Sequence, residues 1–207
     1  MAAMASQSLM NLVDAAMVGS LGGEALAGVG LGGYASFIAI SMVIAMVARR
    51  KGERDRANYA VPLNAGLVLG LAFAIPISVI FALASAPMMA FLAPTAGVAE
   101  VGSDYFDMRL LSVWAVAMNF SYRGYWNGIN RSGVYMRTLV ITHVANVIFS
   151  YGLIFGAWGL PALGGAGAGL GTSLALYLGS ALYLLQTWRA AREHGFLRAR
   201  PSRATLR

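Results

Sequence analysis

The chain has 207 residues, of which 58% are hydrophobic and 11% charged, with a net charge of +7 and a mean hydropathy of +0.67. Soluble domains carry about 25% charged residues, so this chain cannot cover a globular surface with polar groups, which excludes a soluble enzyme of ordinary composition and a disordered chain alike. The absence of cysteine excludes a disulfide scaffold, a thiolate metal site and a cysteine nucleophile.

A hydrocarbon core of roughly 30 Å needs about 20 apolar residues in helix. Six segments reach that length, at about 2–20, 25–48, 59–84, 104–124, 136–156 and 167–188, followed by a basic tail over 189–207. The expected fold is therefore an all-α, polytopic membrane protein with six transmembrane helices in one lobe. The first segment has no basic amino-terminal region and carries Asp14 inside its apolar run, so it reads as a membrane helix and not as a signal peptide. In the third, Pro76 removes a backbone hydrogen bond and predicts a kink. The glycine pairs Gly28 and Gly32, Gly66 and Gly70, and Gly165 and Gly169 have the four-residue spacing of close helix packing. The glycine-rich run at 156–171 follows no strand and has no Gly-x-Gly-x-x-Gly spacing, which argues against a nucleotide loop.

The charges orient these segments. Arg49, Arg50, Lys51, Arg54 and Arg56 fill the second connection. Arg123, Arg131 and Arg137 flank the fourth, and six further arginines fall in the tail. The first, third and fifth connections carry no cation, but hold Glu24, Glu100 and Asp104. Basic loops stay in the cytoplasm, so both termini are expected inside, in a multi-pass protein of the inner (plasma) membrane. The same pattern explains the basic loops without nucleic acid, and the tail can also touch anionic lipid. Arg109 is the exception, expected just within the outer end of the fourth helix.

A carboxylate in the bilayer interior costs about 2.5–3.5 kcal/mol on insertion scales and needs a compensating environment. Asp14 lies six positions before Ser20, hence about 9 Å below the outer end of its helix. Gln7, Asn11 and Asp14 follow i, i+4, i+7 and share one face, which should meet a wet cavity or another helix. There the carboxylate can exchange a proton or hold a desolvated sodium ion; a purely structural role is the alternative. His143, Asn146 and Ser150, with Thr142 beside them, make a second stripe that serves either a cavity or interhelical hydrogen bonding. Ser112, Asn119 and Arg123 make a third, and Thr172 lies near the outer end of the sixth segment, level with Ser150. Two histidines and one intramembrane acid are no metal-ligand set, and no Ser–His–Asp arrangement is suggested, so neither a cofactor nor an enzyme is expected.

Several runs then resemble the multidrug and toxic compound extrusion (MATE) family, in family order over nearly the whole chain. NLVDAAMVGSLGGEALAGVGLG at 11–32 is similar to the first helix and its turn, and VARRKGERDRA at 47–57 to the basic loop after helix two. YFDMRLL at 105–111 resembles the Tyr-x-x-x-Arg start of helix four, and RGYWNGINRSGVYMRT at 123–138 the loop into helix five. NVIFSYGLIFGAWGLPALGGAGAGLGT at 146–172 resembles the Asn-x-x-x-Asp/Asn-Tyr signature and the turn into helix six.

The resemblance implies an antiporter that exports cationic amphipathic compounds while protons or sodium ions enter. Asp14 matches the family's cation-coupling aspartate, and Gln7 a polar residue two turns earlier. Asn146 matches the helix-five asparagine beside the cavity and Thr172 the helix-six threonine, with Asn11 and Ser150 completing the lining. Ser150 departs from the family's Asp or Asn, so Asp14 is expected to act largely alone. Family members have about twelve helices in two lobes, and this chain resembles the amino-terminal one, starting late in helix one. A half-transporter, a truncated product and one subunit of a split protein are all compatible with that, the partner being a missing carboxy-terminal lobe. A non-transporting membrane fragment and a related flippase for lipid-linked sugars are the alternative functions.

Overall fold

The structure, a computed structural model, describes residues 12–48, 60–191 and 196. Helix α1 is described over 12–19 and ends in the turn at 20–22, where Leu21 N–H donates to the Val18 carbonyl and Gly22 takes a φ of 125°. Six further α-helices follow: α2 (Gly23–Ala48), α3 (Ala60–Leu92), α4 (Ala96–Leu110), α5 (Val113–Gly128), α6 (Ser132–Phe155) and α7 (Gly164–Ala191). No strand occurs among the described residues.

Four of these helices, α2, α3, α6 and α7, are long and apolar enough to cross a membrane. Their outward faces present Tyr34, Phe37, Leu83 and Phe91 at 69–88% exposure, an apolar surface that suits lipid and not water. The expected helix over 104–124 is instead two. α4 and α5 have 15 and 16 residues, each too short to span alone, and they meet at Leu111–Ser112.

The break is made by side chains. At Leu111–Ser112 the Ser112 amide and hydroxyl both donate to the Arg109 carbonyl, at 3.0 and 2.8 Å, which tightens the last turn of α4. Three distant hydroxyls cover neighbouring carbonyls: Ser173 donates to Met108 (2.7 Å), Ser78 to Leu110 (3.2 Å) and Tyr177 to Leu111 (2.5 Å). Inside a bilayer every freed backbone group needs such a partner. By contrast α3 runs unbroken through Pro76 and Pro87 for 33 residues, about 50 Å, so the proline does not end the helix.

Small residues bring the helices together. A Cβ at Gly28 or Gly32 on α2 would lie 2.7 Å from Val101 Cβ or the Gly102 carbonyl oxygen on α4. One at Gly165 or Gly169 on α7 would meet the Val101 side chain or the Tyr105 carbonyl oxygen, each at 2.6 Å. Gly167 and Gly171, on another face of α7, press on Leu153 and Ser150 of α6. These stripes let backbones touch, and they fix α7 between α4 and α6. α6 stops at Gly156, whose φ of 71° suits a left-handed cap. A short 3-10 turn (Ala157–Gly159) follows, and Leu163 N–H donates 2.8 Å back to the Leu153 carbonyl.

Three apolar clusters fill the bundle. One, around Met89, Phe106, Leu110 and Val113, joins α2 to α5. A second gathers Tyr122, Trp126, Tyr135, Tyr183 and Phe196, the last from the tail, at the end near the basic connections. The third, Val18, Val29, Tyr105, Ile154 and Ala168, packs beside the polar site.

Candidate functional site

Three helices meet around Asp14. α1 supplies the carboxylate, 3% exposed; α6 supplies Asn146 and Ser150, one turn apart on its inner face and both 0% exposed; α7 supplies Thr172, which follows the close-packing Gly171. Because Gly171 lets the α6 backbone come against α7, the Thr172 hydroxyl reaches both neighbours. It lies 2.9 Å from Asp14 Oδ2 and 2.9 Å from the Ala168 carbonyl, to either of which it can donate. Asn146 Nδ2 donates to Thr172 Oγ1 at 2.9 Å and to Ser150 Oγ at 3.1 Å. The result is a continuous hydrogen-bonded chain from Ser150 to Asp14 across three helices.

Two oxygens of this chain remain open. Asp14 Oδ1 and Asn146 Oδ1 are buried and accept no hydrogen bond among the described residues. Buried acceptors without donors are costly, and a proton or a small desolvated cation is what such a pair can take up. Arg109 adds a second charge. It is 7% exposed, at the carboxyl end of α4, about 20 Å along that helix from its amino-terminal end. It acts electrostatically on Asp14 and on the buried Tyr105. Its Nε and Nη1 have no hydrogen-bond partner among the described residues. Arg109 is the one buried cation among them, so the site balances one carboxylate against one guanidinium.

Of the residues expected in the cavity, Asp14, Asn146, Ser150 and Thr172 are thus brought together; Gln7 and Asn11 lie outside the described residues. His143 is half-buried, and Thr142 donates to the Thr138 carbonyl of its own helix. Asn119 serves packing, donating to the Leu176 carbonyl (3.2 Å) and accepting from Ser180 (2.9 Å). Tyr105 and Arg109 belong to the site's surroundings, as their burial on the α7-facing side of α4 shows. The sequence signal was their i, i+4 spacing inside an apolar segment. One charged residue went uncounted. Asp107, half-buried with Oδ1 unpartnered among the described residues, is a second acid within the helical bundle.

A helical membrane lobe with a desolvated carboxylate at the meeting of three helices has the make-up of a transporter, where ionisable groups inside the bilayer mark ion and substrate paths. The comparisons with known proteins give the family. A family model described as MatE matches residues 1–152, and the chain belongs to that family, whose named relatives are transporters and not enzymes. The multidrug resistance protein NorM of Burkholderia vietnamiensis is 30% identical over 95% of this chain and 44% of its own length. The chain therefore spans less than half the length of that relative. Among solved structures, the outward-facing conformation of a multidrug resistance MATE family transporter of the MOP superfamily aligns with a TM-score of 0.78 at 23% identity, over 98% of this chain and 46% of its own. The lipid II flippase MurJ, in an inward closed conformation, aligns with a TM-score of 0.77 at 18% identity, over 89% and 40%. At these identities the structures establish the shared fold alone.

Proposed function

We propose that the chain is one lobe of a cation-coupled antiporter that exports cationic amphipathic compounds, with Asp14 as the coupling site. The observation that carries this reading is the buried chain Asp14–Thr172–Asn146–Ser150 with its two open acceptors. A proton or a sodium ion at Asp14 removes a negative charge from the cavity and weakens its hold on a cationic substrate. The substrate then leaves outward, and because both cations compete for one carboxylate the coupling is reciprocal. Thr172, Asn146 and Ser150 hold the carboxylate in place and offer neutral oxygens to the ion. The basic connections orient the lobe with both termini cytoplasmic in the plasma membrane. A second lobe of similar size completes the substrate path, in keeping with the share of the relatives' length that this chain matches. A flippase of lipid-linked sugars is the second reading, favoured by the likeness of fold to MurJ.

The test is efflux of a fluorescent cationic dye from cells that lack their own pumps, with and without an imposed proton or sodium gradient. Gradient-dependent efflux that disappears in Asp14→Asn is the expected result. Equal gradient-dependent efflux from Asp14→Asn overturns the proposal, and no efflux from wild-type chain shown to be inserted assigns transport to the two lobes together.

A further inference from the structure

Asp107 and Arg109 are two residues apart on α4, and two helical steps of 100° set them about 200° apart around the axis. Arg109 faces Asp14; Asp107 faces the other way, toward α3. There it lines an open cavity of about 300 Å³ at the bundle surface, bordered by Ile75, Val79 and Ala82 of α3, Leu111 at the helix break, and Trp114 of α5. Apart from Asp107 and Ser78, whose hydroxyl is turned to the Leu110 carbonyl, the walls are apolar. Asp107 makes no ion pair or hydrogen bond among the described residues, and its Oδ1 is buried. Trp114 is held in one orientation: its Nε1 donates to Tyr177 Oη at 2.7 Å, and Tyr177 in turn donates to the Leu111 carbonyl. Ile75, Val79 and Leu111 are 52–54% exposed, so the cavity opens at the surface of the bundle, on the side of α4 away from the Asp14 network.

An unpaired carboxylate and a fixed indole, the aromatic ring best suited to cations, share one largely apolar cavity beside the membrane-length helix α3. A carboxylate there is costly without a counter-charge, and no described side chain supplies it. We propose that this cavity is a second, lipid-accessible binding site, for a small organic cation with an apolar body, independent of the Asp14 network. The cationic head pairs with Asp107, the body lies against Trp114 and the aliphatic walls, and the ligand arrives by partition into the bilayer.

Equilibrium binding of tritiated benzyltrimethylammonium to the purified full chain in detergent tests this, with the uncharged carbon isostere neopentylbenzene as competitor. Saturable binding is expected that unlabelled benzyltrimethylammonium displaces and neopentylbenzene does not. Asp107→Asn should weaken it about tenfold or more, the effect of losing one favourable charge contact. Ala82→Leu, which fills the cavity without touching a charge, should weaken it comparably and decides the matter should Asp107→Asn fail to fold. Asp14→Asn should leave it within about twofold, and that arm separates failure of this proposal from failure of the coupling reading. Displacement by neopentylbenzene at equal concentration marks a groove for lipid tails or another apolar surface, and overturns the proposal. So does unchanged affinity in either cavity variant, or loss of binding in Asp14→Asn.

Discussion

Replacing Gly171 by alanine loosens the Asp14 network without removing a polar atom. A Cβ there would lie 2.6 Å from the Ser150 amide nitrogen and 2.7 Å from its Cα, main-chain atoms of α6 with no rotamer to escape into. Restoring an ordinary contact of 3.4 Å moves α7 away by about 0.8 Å. The Asn146–Thr172 bond, now 2.9 Å, then stretches to about 3.7 Å, beyond hydrogen-bond range. Overpacking of this kind costs about 1–3 kcal/mol, and the lost buried bond adds about 1 kcal/mol. The assay is thermal unfolding of the detergent-solubilised protein, with Gly30→Ala as control. A Cβ at Gly30, also inside a helix, meets nothing within 4 Å, and alanine is favoured over glycine there by up to about 1 kcal/mol. Gly171→Ala should unfold several degrees below wild type and Gly30→Ala at or above it. Equal unfolding temperatures for the two variants would refute the reasoning that direct backbone contact between α6 and α7 holds the network together.

Thr172→Val keeps the shape of the side chain but removes the donor to Asp14 and the acceptor for Asn146. It should cost about 1.5–3 kcal/mol, the range for bonds to charged groups, and Thr172→Ser should recover most of it in the same unfolding assay. Tyr177→Phe leaves the Leu111 carbonyl and the Trp114 indole N–H without their present partners at the helix break. A loss of about 1–3 kcal/mol is expected, together with a shift in tryptophan emission that a Trp114→Phe background abolishes.

The membrane helices were legible because hydropathy over twenty residues is a local property. The glycine pairs Gly28–Gly32 and Gly165–Gly169 showed in the sequence because close approach needs small residues at helical spacing. The Asp14, Asn146, Ser150 and Thr172 cluster could be anticipated for a related reason. Each is a polar residue at a depth where polarity is expensive, and the family resemblance joined the separate stripes. The break between α4 and α5 was hidden because nothing at Leu111–Ser112 marks it. Its stability comes from Ser78, Ser173 and Tyr177, residues more than thirty positions away, whereas Pro76, the local signal for a kink, sits in a helix that continues through it. Reading 104–124 as one uniform span also hid that α4 starts at Ala96 and ends beside Arg109, and it passed over Asp107, which 100° per residue sets on the opposite face.

Coupling at Asp14 is tested most directly by counter-transport in liposomes that hold the purified chain. Vesicles loaded with a cationic dye would be diluted into dye-free medium while proton and sodium movement across the membrane is recorded. Dye leaving by way of the protein is expected to drive protons or sodium ions inward, and Asp14→Asn, inserted at the same density, to move no coupled cation. Equal cation movement in Asp14→Asn, or dye leaving through wild-type protein with no cation entering, would contradict it.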